Sequence, residues 1–209
     1  MKLFSSVAHS FLTIGILIAS AQHVSGEEPQ TKLTEIASVP FGSSLEQTVQ
    51  LLNTYALNKG LKMKVPTTLQ KGNQLVVSGG EFAGLDVDLW VFSFARNKLF
   101  YVTIGFESKD ALGTLDTVVK LVSKKYGPAT IISRKYSFPY NVPFRSLDDS
   151  TITEAFKKKK ADFHSSWKLT NGFIICEVEF VEGTGLITTL RYQQSKFAKD
   201  AEVDAKSDL

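Results

Sequence analysis

Leu45, Val49, Leu52 and Ala56 recur at intervals of three and four residues, the spacing that gathers apolar side chains on one face of a helix. Ser43 and Glu46 ahead of them have the S-x-x-E form of a capping box, and Gly60 offers a left-handed stop, so a helix is predicted over about 44–59. Leu112, Leu115, Val119 and Val122 repeat the spacing before Gly127-Pro128, which predicts a second helix over about 109–126.

Elsewhere the period is two. Leu85, Val87, Leu89 and Val91 alternate with Trp90, Phe92 and Phe94, so both faces of this segment are apolar at mid-strand and it reads as a central strand. Arg96-Asn97 is a two-residue turn, because Asn tolerates positive φ, and Phe100, Val102, Ile104 and Phe106 form the core face of the returning strand. Shorter strands are expected at Leu61 to Val65 and Leu75 to Ser78, ahead of this hairpin, and at Ala129 to Ser133 after the second helix. Three more follow at Phe163 to Leu169, Phe173 to Val181 and Leu186 to Tyr192, with turns at Asn171-Gly172 and Gly183 to Gly185. Helices at the start and middle, separated by hairpins, define an α+β class: an antiparallel sheet with helices packed on one face.

The two helical segments align without a gap. LEQTVQLLN at 45–53 matches LDTVVKLVS at 115–123, and each is followed by strands ending in a hairpin. The domain, 39–192, is therefore expected to consist of two helix-plus-strands halves, 39–107 and 108–192, with an insertion at about 134–162 in the second. The plain alternative is that any two amphipathic helices align this well. Residues 22–38 read as a flexible polar lead and 193–209 as a polar tail.

The amino terminus changes the expected address. Lys2, an apolar run from Phe11 to Ala19 and small residues at Ala19 and Ala21 form the pattern of a cleavable secretory signal over 1–21, with Gly26 as the alternative cleavage point. The run falls short of the roughly 20 apolar residues a membrane span needs, so no transmembrane segment is expected after cleavage. No cysteine lies near that point, so a lipidated N-terminal cysteine is not expected either. The predicted location is periplasmic or extracellular. Without residues 1–21 the chain carries 23 basic and 21 acidic side chains, a balance that singles out no class of partner. One cysteine, Cys176, rules out an intramolecular disulfide, so packing must supply the stability.

Catalytic equipment is sparse. Alternation in FIICEVEF turns Cys176 inward, and alternation in FHSSWKL puts His164 on the polar side, so the two do not form a dyad. No G-x-S-x-G elbow, calcium loop, Walker loop or G-x-G-x-x-G motif occurs, and one cysteine with one domain histidine cannot make a zinc set. The carboxylate pairs Asp86/Asp88, Asp148/Asp149 and Glu177/Glu179 are the remaining candidates for acid–base chemistry. Their spacing is also that of a polar sheet face or a helix start, and the enzyme reading is the weaker one. No cofactor and no metal are expected.

The insertion holds the candidate binding residues. Tyr136, Phe138, Tyr140 and Phe144 are interleaved with Arg134, Lys135 and Arg145, and Pro139 and Pro143 stiffen the segment. Aromatic side chains on a stiff loop suit a contact surface; the alternative is that they fold back as a lid over the core. Lys157, Lys158, Lys159 and Lys160 follow a helix start at Thr151 and Glu154, where cations favour the helix end. Successive residues turn about 100°, so four in a row cannot share one flat face. A protein partner is the leading expectation and an anionic polysaccharide or lipid headgroup the alternative; export argues against nucleic acid.

The signal sequence, V-P-F-G-S-S-L-E-Q before the first helix, A-R-N-K-L-F-Y-V in the hairpin and K-K-Y-G-P before a later strand resemble a group of small secreted α+β domains. That group comprises the outer-membrane assembly accessory proteins and the β-lactamase-inhibitor-protein fold. The resemblance spans 39–192 and implies a non-catalytic binding module of the cell envelope. The missing N-terminal cysteine departs from the lipid-anchored members, and no functional residue carries over.

Overall fold

The computed structural model describes residues 31–70, 72–137, 139–141 and 147–198. The expected signal sequence, the first part of the lead, the tail beyond 198, and Phe138, Phe144 and Arg145 lie outside the described residues.

In chain order the elements are β1 (Glu35–Ile36), β2 (Val39–Pro40), α1 (Leu45–Lys59), β3 (Met63–Lys64), β4 (Gln74–Gly79), β5 (Glu81–Phe82), β6 (Leu85–Asp86), β7 (Leu89–Ala95) and β8 (Lys98–Glu107). The second half contributes α2 (Ala111–Tyr126), β9 (Ile131–Tyr136), α3 (Asp149–Lys157), β10 (Ala161–Leu169), β11 (Gly172–Val181) and β12 (Gly185–Gln194). Eight strands form one antiparallel sheet in the order β3-β4-β7-β8-β12-β11-β10-β9. Outward from the β8–β12 seam, each half lays down its fourth, third, second and first sheet strand, so one topology occurs twice. The connection from first to second sheet strand runs through 65–73 in one half and 137–160 in the other, where it holds α3. The first half has its own elaboration, the β5–β6 hairpin between β4 and β7.

Residues directly opposite each other on neighbouring strands share a face. Val77, Trp90, Ile104, Leu190, Cys176, Ser165 and Ile132 therefore form one row across seven strands. Six are buried and only Ile132, on the edge strand, is exposed. α2 packs on this face through Leu115, Val118 and Val122, α3 through Phe156 against Phe163, and Leu52 of α1 joins the same apolar cluster. At about 1.5–3 kcal/mol for each large side chain, this burial is the main stabilising term.

Several local details differ from expectation. Ser44, not Ser43, caps α1: its hydroxyl accepts from Gln47 N at 3.2 Å and the Gln47 amide oxygen accepts from Ser44 N at 3.0 Å. Ser43 is otherwise engaged, since its carbonyl accepts from Leu99 N at 2.9 Å and ties the helix start to β8. The stop at Gly60 is as expected, with φ 64°. In α3, Asp148 is the cap, accepting from Thr151 N at 2.7 Å, so the helix starts before the predicted Thr151 and Glu154 pair. The long strand expected from Leu85 divides into β6 and β7 because Val87 N and Asp88 N pair with Gly80 and Gly105 carbonyls.

A register shift at Ser93/Phe94 leaves Phe100 without a directly opposed partner, so Leu99 rather than Phe100 is fully buried. Arg96 and Asn97 have φ of 47° and 58°, which makes the predicted turn. The β10–β11 turn is Thr170–Asn171, one residue earlier than predicted, because Gly172 already pairs with Leu169. A Cβ at Gly172 would stand 2.1 Å from Gln193 O and 2.8 Å from Leu33 Cδ1, so the close approach requires glycine. That approach corrects the flexible lead over its described residues, 31–38, where Leu33 and Ile36 are buried and part of the core. Beyond β12, residues 195–198 make a helical turn that places Phe197 against Gly42. Among the described residues no helix is long and apolar enough to cross a membrane.

Candidate functional site

Among the described residues the packed helices α1, α2 and α3 cover one face of the sheet, and none of them lies on the opposite face. Its central rows read Val76, Val91, Thr103, Arg191, Ile175, Ser166, Ile131 and Ser78, Leu89, Gly105, Thr189, Glu177, His164, Ser133. Thr189 is buried, but the other thirteen are half-buried or exposed. Seven strand spacings of about 4.8 Å and strands of about 25 Å give this face some 800 Å². That is about the area a standard protein interface takes from one partner.

The face is divided chemically. Toward β4, β7 and β8 it presents Val76, Leu89, Val91 and Tyr101. Toward β9 to β12 it carries a charged network. Arg191 Nη1 lies 2.5 Å from Glu177 Oε1, Nη2 pairs with Glu179, and the Thr189 hydroxyl donates to Glu179 at 2.9 Å. Next to it, Asp162 sits 2.6 Å from His164 Nδ1, accepts from the Ser133 hydroxyl at 2.8 Å and pairs with Lys135 at 3.7 Å. Burial pushes the Glu177 carboxyl above its ordinary value, Arg191 offsets part of the rise, and the Glu179 charge adds to it. For Asp162, burial acts upward, but the bonds from His164 and Ser133 outweigh it and hold the carboxyl below its ordinary value.

Gly105 lies near the middle of this face, on the seam strand β8. A Cβ there would meet nothing nearer than Leu89 O at 3.7 Å, an ordinary contact, so internal packing does not demand glycine. Glycine inside a strand weakens it and leaves the backbone open to close approach by another molecule.

Of the residues predicted as a binding site, the described aromatic ones, Tyr136 and Tyr140, are half-buried, whereas Lys157, Lys158, Lys159 and Lys160 are exposed. Tyr136 turns toward the helical layer, its ring 5.0 Å from Phe163 and 6.5 Å from Phe156, so it acts as a lid on the core. Tyr140 is half-buried beside Lys158, whose ammonium is held by Glu154 at 2.9 Å. The lysines themselves build the helix stop: Lys159 N donates to Phe156 O at 2.9 Å and Lys160 N to Ala155 O at 2.8 Å, with Lys159 left-handed at φ 54°. Lys157 lies 5.8 Å from the Phe180 ring centre. Phe138, Phe144 and Arg145 lie outside the described residues.

The three carboxylate pairs sit on different elements: Glu177 and Glu179 on β11 under Arg191, Asp148 and Asp149 at the start of α3, Asp86 and Asp88 around the end of β6. Cys176 and His164 occupy opposite faces, as alternation predicted, because Cys176 is level with Ser165 and His164 with Glu177. Among the described residues no group of three His, Cys, Asp or Glu side chains is placed to hold a metal ion. The sequence shows the polar side of β11 and the alternation that includes Leu89, but not that Leu89 meets Gly105 or that both share a face with Arg191, which depends on which strands pair. No family model matches the chain, and neither the curated proteins nor the solved structures contain a match.

Proposed function

We propose that this chain is a non-enzymatic interaction module, exported to the cell envelope, that binds a protein partner through the helix-free face of its eight-stranded sheet. The observation that carries the reading is the bare backbone at Gly105 amid half-buried Leu89, Val91 and Tyr101, with the charges alongside engaged in ion pairs, Arg191 with both Glu177 and Glu179. An apolar patch bordered by engaged polar groups has the make-up of a protein interface, in which an apolar centre supplies affinity and a polar rim supplies register. The signal-like terminus supports export, and mature protein beginning at Gln22 is the expected product. The resemblance to non-catalytic envelope modules points the same way.

A photo-crosslinking side chain placed at Leu89 should join the protein to a partner in envelope extracts, whereas the same group at Lys159 should not. Crosslinking from Lys159 alone, falling steeply with salt, would favour an anionic polymer at the lysines and overturn the reading.

A further inference from the structure

The helical layer holds a separate concavity, on the side of the sheet away from the proposed interface. It opens where β1, the β5–β6 hairpin, α2 and β12 meet, has a volume of about 230 Å³, and is walled by Ile36, Phe82, Leu121 and Val122. Two phenols complete the wall, Tyr126 and Tyr192. Tyr192 is 1 % exposed and Tyr126 7 %. Neither hydroxyl has a protein partner among the described residues, and neither is sealed off as the Thr48 hydroxyl is.

An unpartnered buried hydroxyl costs stability, and one that borders a cavity is available to whatever fills it. Both phenols keep their protons: burial pushes Tyr126 up to about 12, with the Glu35 charge adding to it, and burial raises Tyr192 well above its ordinary value. Each is thus a donor awaiting an acceptor. Lys125 is the one charged side chain among the lining residues, and the Glu35 carboxylate acts on Tyr126, so the wall itself is mainly apolar. An apolar cavity of about 150 Å³ holds benzene, so this one has room for a ring with a short substituent.

A larger concavity of about 290 Å³ between α2 and the β9–β10 edge lacks this feature. Its Arg134 guanidinium already donates to Ser133 O and His164 O, both at 2.7 Å, and to the Ser165 hydroxyl at 3.2 Å.

We infer that the cavity between α2, β12 and the β5–β6 hairpin binds a small, uncharged, largely apolar molecule whose carbonyl oxygen accepts hydrogen bonds from Tyr192 and Tyr126. The ligand enters beside the Ala83-Gly84 turn and lies on Phe82 and Val122. The site is independent of the sheet face, so either proposal stands if the other fails.

Acetophenone, ethylbenzene and benzoate serve as probes of carbonyl, hydrocarbon and anion, titrated into the isotope-labelled protein and followed by NMR. Acetophenone should bind saturably, shifting the amides of Ile36 and Val122, and Tyr192→Phe should weaken it about fivefold while leaving ethylbenzene unchanged. Benzoate should bind at least about tenfold more weakly than acetophenone, because its charge must be stripped of water. If Tyr192→Phe does not fold, Tyr126→Phe gives the same comparison. Absence of saturable acetophenone binding, equal binding by both phenylalanine variants and the parent protein, or a preference for benzoate would each overturn the assignment.

Discussion

The Asn171 side chain holds both backbone groups of Leu33: its oxygen accepts from Leu33 N at 2.7 Å and its amide donates to Leu33 O at 2.8 Å. A turn residue of the second half thereby fastens the segment that precedes the first half, across 138 positions of sequence. Asn171→Ala removes both bonds and leaves two partly buried backbone groups without partners, at a cost of about 2 kcal/mol. Urea denaturation measures this loss, and amide exchange at Leu33 should accelerate more than exchange at Ile104 on the central strand β8. A destabilisation below about 0.5 kcal/mol would mean that the clamp adds little.

Cys176 gives a second expectation. It has no exposure, and burial pushes its thiol far above its ordinary range, with the nearby Arg134 charge offsetting only part. A thiol so placed reacts only when the sheet opens. Labelling by a thiol reagent at about pH 8 should follow the unfolding rate and rise with added denaturant. Rapid labelling in native buffer would contradict the buried position.

Much of this fold is legible in the sequence, and the exceptions have specific causes. Leu52, Leu115 and Val122 announce their helices because each contact face is repeated within one segment. Leu99 and Phe100 are misjudged because a bulge changes the parity of burial, and alternation alone carries no sign of it. The lead before Val39 reads as polar, yet in its described part Leu33 and Ile36 are buried in the core while Asn171 supplies the backbone bonds of Leu33. Tyr136 and its neighbours have the composition of an exposed contact loop, but strand pairing with Ala161 turns the Tyr136 ring toward Phe163. The helix-free face and the Tyr126–Tyr192 cavity join residues far apart in sequence, so neither leaves a local pattern.

Glu177 ties the charged half of the open face to pH. Its folded-state pKa is raised above the ordinary 4.5, chiefly by burial, so the folded state holds this proton more readily than the unfolded chain does. The contribution to stability is fully present below the ordinary value and is lost as pH rises from there through the raised folded value. Glu177→Gln should therefore flatten the pH dependence of stability just above pH 4.5, measured by chemical denaturation across that range. An unchanged slope would show that Arg191 cancels the effect of burial.

The most direct test of the proposed interface is Gly105. Gly105→Ala should raise stability by about 0.5–1 kcal/mol, since glycine weakens a strand and the new methyl meets only ordinary contacts. Gly105→Arg should fold normally yet lose the envelope partner that the parent protein captures, because its side chain stands where the partner's surface must approach. The deciding measurement is the affinity of that partner for the parent protein and for Gly105→Arg, side by side. Affinity should fall at least about tenfold with folding intact, as for a buried interface position; equal affinities would contradict the proposed interface.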